Sequence, residues 1–314
     1  MKPIQQPDDY PMVPSHLKSA RHEISESPTK KGKVVLDEFL EGELSQEPQV
    51  GFIIGVGAND VTGVLLPIAT SLTYSLSLEK VMVTGAVSSS SSAGAQMEMA
   101  VQMTQQSAHE ALTMVKNYLQ DMDPKVSAAR LLGEFLDKYT IHHQLLSASY
   151  SVGGPSAGYA LAINTLSALM HIPVYNDFGM TGAPWTKGVK RGEVGGSVII
   201  GGQRKKTEKV LMYLRRMYMP LKNYLDLEKE FLVGYWTQDK DILGVTHFGD
   251  LVPEVICLDP EYEQILQDLI LIRIRYKLDK YQGKRPDEAI KEDILRKKEI
   301  LRTRAEKEIK NRLI

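Results

Sequence analysis

The chain has a single cysteine in 314 residues, Cys257, so no disulfide can close within it and no thiolate cluster can hold a metal. It also lacks an excess of charge: 38 Lys+Arg against 39 Asp+Glu leave a formal net charge of -1. That balance supplies no field for nucleic acid or anionic lipid, and neither is expected as a partner. No stretch reaches the roughly 18 uninterrupted apolar residues of a membrane span. The opening MKPIQQPDDYPMVPSH has neither the apolar core of a secretion signal nor the acid-poor look of an organelle presequence. A cytoplasmic or organelle-matrix location is therefore expected, and secretion is not.

What is present is a globular composition, 43% hydrophobic, arranged in three regions. Residues 1–48 are rich in Pro, Lys, Glu and Ser and read as a polar arm or linker. Residues 49–258 alternate strand and helix patterns. GFIIGVGAND, VTGVLLPIAT and KVMVTGAV read as strands, and TIHHQLLSAS and SVIIGG as two more. Met99, Met103, Ala108, Ala111, Leu112, Val115 and Leu119 recur at helical spacing, so a helix is expected there; another is read over KKTEKVLMYLRRMY. SSSSSAG reads as a connector. Residues 259–314 form a charged helical extension in two pieces broken near Pro286. The second piece has a narrow apolar stripe, Ile290, Ile294, Leu301, Ala305 and Ile309, suited either to its own domain or to a partner helix.

The stretch YSVGGPSAGYALAINTLSAL poses the chemical question, because it fits G-x-S-x-G, a serine on a sharp turn between strand and helix. Pro155 suits a first helical turn, and a helix there would aim its N–H groups at an oxyanion forming beside Ser156. The alternative is a serine that only caps the helix. A nucleophilic serine needs a base. His142 and His143 are adjacent on a predicted strand and face opposite ways, while His171 and His247 sit in no recognisable catalytic setting. GGQRKKTEKVL places Lys205 and Lys206 at a helix start; to act as a base near pH 7, either would need its pKa lowered by about three units, which burial can supply.

Together these pieces resemble the proteolytic domain of the Lon proteases over about residues 51–258. VGGPSAG resembles the family's nucleophile motif, PVYNDFGMTG its M-T-G stretch, RGEV its R/K-G-x-V and GGQRKK its G-G-x-x-x-K; VTGAV and MTQQSAHEALTMVK resemble the preceding strand and helix. The resemblance implies an α/β (α+β) fold of mixed sheets with packed helices and a serine peptidase with a Ser-Lys dyad. Counting four past Gly202 selects Lys206 over Lys205. By resemblance Ser156 attacks the peptide carbonyl, Lys206 is general base and then acid, and Thr181 binds the lysine ammonium. Backbone amides around Ser156, those of Gly154 and Ala157 among them, form part of an oxyanion hole, and His142 keeps one family histidine. No cofactor or metal is implied. The partners implied are a flexible polypeptide substrate and further copies in a homo-oligomer or larger complex.

The chain departs from the family at several points. Gly153 and Ala183 stand where many members are acidic, and Gln144 replaces the second histidine. Two lengthened connections, APWTKGVK and GGSV, widen the separation of Ser156 and Lys206. No G-x-x-x-x-G-K-[ST] loop occurs, so an ATP-driven motor is expected to be a separate AAA+ ATPase, if one is used at all. Two other readings stay open: a catalytically inactive Lon-like subunit acting as a structural or assembly component, and an α/β-hydrolase using Ser156, Asp241 and His247, which explains neither MTG nor GGQRKK.

Overall fold

A computed structural model describes residues 47–58, 62–74, 79–85, 94–122, 138–146, 155–184, 201–285 and 287–313. Residues 1–46 of the expected 1–48 arm, residues 88–93 of the serine-rich connector and most of SVIIGG lie outside the described residues.

Seven strands form one mixed sheet. They are β1 (Phe52–Ala58), β2 (Gly63–Tyr74), β3 (Val81–Gly85), β4 (Tyr139–Leu145), β5 (Phe178–Met180), β6 (Arg216–Pro220) and β7 (Asp241–Val245), in the order β3-β4-β2-β1-β5-β6-β7. β1 and β4 run antiparallel to β2; the remaining neighbours are parallel. Eight helices accompany them among the described residues: α1 (Gly94–Met122), α2 (Gly158–Met170), α3 (Gln203–Tyr213), α4 (Leu221–Leu225), α5 (Lys229–Trp236), α6 (Phe248–Val255), α7 (Pro260–Tyr281) and α8 (Glu288–Leu313). None of the helices described is long and apolar enough to cross a membrane.

Glycines show which helix covers which face. Gly55 lies opposite Ala160 of α2, whereas Gly179 lies against Val210 of α3. Gly55 is in register with Met180, and successive strand residues point to opposite faces, so α2 and α3 cover opposite faces of the sheet. The chain therefore enters β5 from a helix on one face and leaves it towards a helix on the other. The carboxyl end of β5 is thus the kind of place where α/β sheets leave a crevice.

α2 is buried on nearly every side, as its apolar sequence requires. Most of its polar groups are paired inside; Tyr159 Oη and Asn164 Oδ1 find no partner among the described residues. Asn164 Nδ2 donates to Ile68 O and Thr70 Oγ1, and His143 sits between Thr70 Oγ1 at 2.7 Å and Thr165 Oγ1 at 3.4 Å. Thr165 donates to Leu161 O and Thr70 accepts from Asn164, so the ring is a neutral imidazole with its proton on Nε2. Burial, and to a lesser degree the neighbouring His142, lowers its pKa to about 3, consistent with that form.

The helix expected to run through Tyr218 stops at Tyr213. Arg216–Pro220 is instead a strand with every residue buried, so it shows no helical or alternating period. Arg216 is accommodated by donating to Asp177, Tyr218 and Glu254. The network continues as Arg273 binds Asp241 and Glu254 and Lys277 binds Asp241 at 2.8 Å. These contacts fasten α7 to the sheet. α8 covers α6 and α2, burying Leu301, Ala305 and Ile309, and its Arg312 donates to the carbonyls of Met170 and His171 at the far end of α2. This half of the apolar stripe belongs to the domain itself.

Candidate active site

Pro155–Ala157 form one 3-10 turn that runs straight into α2. The N-cap position is Ala157, which has no side chain able to accept a bond, and no side chain caps this helix. Ser156 is therefore not the capping serine. Its carbonyl accepts from Gly182 N at 2.8 Å and from Thr181 Oγ1 at 3.3 Å, and Tyr159 N returns a bond to Gly182 O at 3.1 Å. These contacts use the backbone of Ser156 and not its hydroxyl. Ser107 of α1, fully buried, donates to Pro155 O at 3.1 Å and anchors the turn from behind.

Two glycines make this packing feasible. A methyl group at Gly158 would lie 2.0 Å from the Pro184 ring, and one at Gly182 would lie 2.3 Å from the Tyr159 ring, so both positions are closed to larger residues by the rings packed on them.

Lys206 arrives from the other face. Gly202, at φ 71°, turns the chain into α3, and the helix directs Lys206, Thr207, Val210 and Leu211 inward. Lys206 is 3% exposed, and its Nζ donates to Thr181 Oγ1 at 3.2 Å. Thr181 itself follows the last residue of β5 and is fixed by its N–H to Tyr218 O at 3.0 Å. Because β5 is only three residues long, groups from both faces meet across its end. Burial lowers the Lys206 ammonium to about 8, bringing the neutral amine within reach of mildly alkaline solution. Lys205, one residue earlier, is only half-buried.

The structure thus gathers Ser156, Ala157, Thr181 and Lys206. Gly154 lies outside the described residues. His142 is elsewhere: it pairs in the ladder with Ser71, its Nε2 lies 2.7 Å from Thr84 Oγ1, and Ser71 stands five residues along β2 from Leu66, which is level through Gly55 with Met180, about 17 Å along the strand. The hydrolase alternative does not assemble, since Asp241 is buried with both oxygens bound by Arg273 and Lys277, and His247 pairs with Asp250. Among the described residues no group of three His, Cys, Asp or Glu is placed to hold a metal ion. Sequence reasoning missed Ser107 and Tyr159. The available signals were a small hydroxyl on the apolar stripe of α1 and one aromatic in a run of small residues after SAG.

Comparison with known proteins gives the family. Residues 30–229 match the family model described as the Lon protease (S16) C-terminal proteolytic domain. The chain belongs to that family. It is 28% identical over 227 residues to the Lon protease of Nitratidesulfovibrio vulgaris, covering 71% of this chain and 24% of the relative. It is 36% identical over 132 residues to that of Dictyoglomus thermophilum, covering 41% and 14%. With the archaeal Lon protease of Thermococcus kodakarensis it shares 31% over 154 residues, covering 48% and 22%. The match thus spans a quarter or less of these curated relatives. The family-model match stops at Lys229, the start of α5, so much of the buried ion network and both C-terminal helices lie beyond that model.

Proposed function

We propose that this chain is a serine endopeptidase in which Ser156 is the nucleophile and Lys206 the general base, acting on unfolded or flexible polypeptides. The observation that carries this reading is the buried Lys206 held by Thr181, which also binds the Ser156 carbonyl. Neutral Lys206 takes the hydroxyl proton as Ser156 Oγ attacks the peptide carbonyl. The resulting oxyanion is stabilised by backbone N–H groups at the start of α2, with that of Ala157 among them. Lys206, now an ammonium, protonates the leaving amine as the C–N bond breaks, leaving an acyl ester on Ser156. Lys206 then deprotonates the water that hydrolyses the ester, regenerating the hydroxyl.

None of these steps uses a nucleotide, so cleavage of unstructured peptide should need no ATP, and the unfolding of folded substrates would fall to an AAA+ ATPase. Assembly into a homo-oligomer or larger complex would restrict access to the site. The direct test is cleavage of an unstructured fluorogenic peptide. Wild type cleaves it, Ser156→Ala and Lys206→Ala each abolish cleavage, and Lys205→Ala costs little. A second reading is favoured by Ala183, uncharged where the family is acidic: a Lon-like scaffold without catalysis. That reading replaces the first if wild type cleaves nothing at any pH while a partner complex fails to assemble without this chain.

A further inference from the structure

Thr181 must place one hydroxyl between two groups from opposite faces of the sheet, and both of its bonds are long, 3.2 Å from Lys206 Nζ and 3.3 Å to Ser156 O. The bond from Lys206 is at the long end of the roughly 2.7–3.2 Å range for N–H donors and the bond to Ser156 O is beyond the roughly 2.5–3.0 Å range for hydroxyl donors, so a displacement of a few tenths of an ångström would weaken or break either one. Something must hold the Thr181–Gly182 turn at that height. The backbone supplies part of the hold through Gly182 N to Ser156 O and Tyr159 N to Gly182 O. The remaining side of the turn is filled by the Tyr159 ring, fully buried, with Cδ2 and Cε2 each 2.3 Å and Cζ 2.7 Å from where a Gly182 methyl would lie.

We propose that Tyr159 is a positioning residue for the dyad: its ring, wedged against Gly182 one turn after Ser156, fixes the turn so that Thr181 joins Lys206 to the Ser156 carbonyl. The inference rests on the peptidase reading above. The ring does this as a rigid plate locked between helix and turn, which a flexible aliphatic side chain of similar polarity cannot imitate. Loss of the ring would free space beside Gly182, and water entering it would relieve the burial that holds the Lys206 pKa down.

The test uses the full chain with Tyr159→Leu and Tyr159→Phe. Peptide cleavage is followed across pH, and the Lys206 ε-carbon is titrated by NMR in protein labelled with 13C-lysine, its resonance assigned by its loss in Lys206→Arg. Tyr159→Leu is expected to lower kcat about 100-fold with KM within about twofold. It should also move the Lys206 midpoint upward from about 8. Tyr159→Phe, which keeps the ring, restores both. A merely structural role would lower the melting temperature without moving the midpoint or the kcat of the folded fraction. If Tyr159→Leu does not fold, Tyr159→Met takes its place with the same expectations. Wild-type kcat and midpoint in the ring-less variant overturn the inference, as does a Phe variant as impaired as the Leu variant. If wild type cleaves nothing, the peptidase reading fails, and the NMR midpoint alone decides whether Tyr159 positions Lys206.

Discussion

Lys206 Nζ donates to Thr181 Oγ1 across the end of the shortest strand of the sheet, and Thr181 in turn donates to the carbonyl of Ser156. A lysine from a helix on one face is thereby joined to a serine preceding a helix on the other. With burial holding its pKa near 8, Lys206 is mostly an ammonium at pH 7 and mostly an amine at pH 9. Peptide cleavage should therefore rise about tenfold per pH unit below 8 and level off above it. A rate independent of pH between 6 and 9 would assign the base elsewhere.

The same burial has a cost for folding. Lys206 titrates near 8 when folded and at its ordinary 10.5 when unfolded, so at pH 7 the folded state bears the full penalty, about 3 kcal/mol. Between pH 8 and 10.5 the unfolded chain binds the extra proton, so stability rises with pH in that window; above it the penalty is gone. Lys206→Met should be inactive yet more stable than wild type at pH 7, with the gap narrowing by pH 10. Urea denaturation at the two pH values measures it. Lys240, also buried and lowered to about 8, titrates over the same range and is present in both proteins, so it cancels in the comparison.

Gly158→Ala should be damaging out of proportion to its size. The added methyl meets the Pro184 ring at 2.0 Å and Ser107 Oγ at 2.7 Å, so either the first turn of α2 or the 181–184 segment must shift. An overpacking cost of about 1–3 kcal/mol and a loss of most activity are expected from thermal melts and peptide assays.

Reading from sequence succeeded where local pattern and chemistry coincide. The helix after Ser156 was legible because apolar residues fill all its faces, and the lysine four residues past Gly202 is one that the fold buries. β6 was not legible: Arg216 and Tyr218 look like surface residues until Asp177 and Glu254, distant in the chain, are seen to pair with them. Tyr159 was missed for a related reason, since its contact is with the bare backbone of Gly182, which leaves no mark in composition or spacing.

The buried network on α7 predicts a further stability effect. Burial raises the Asp241 carboxyl, but Arg273 and Lys277 outweigh it and hold the group below its ordinary value of 3.8. Its contribution is present above that pH and is lost as pH falls through the lower folded value. Arg273→Met leaves Glu254 and part of Asp241 buried without their guanidinium and should cost about 3–5 kcal/mol in chemical denaturation.

Labelling with a serine-directed electrophile such as a fluorophosphonate, followed by peptide mapping, asks whether Ser156 is activated by Lys206. Modification of Ser156 is predicted in the wild type, faster at pH 9 than at pH 7, and lost in Lys206→Met although that variant stays folded. Equal labelling of Ser156 in Lys206→Met, or labelling of wild type at another serine alone, would contradict the dyad.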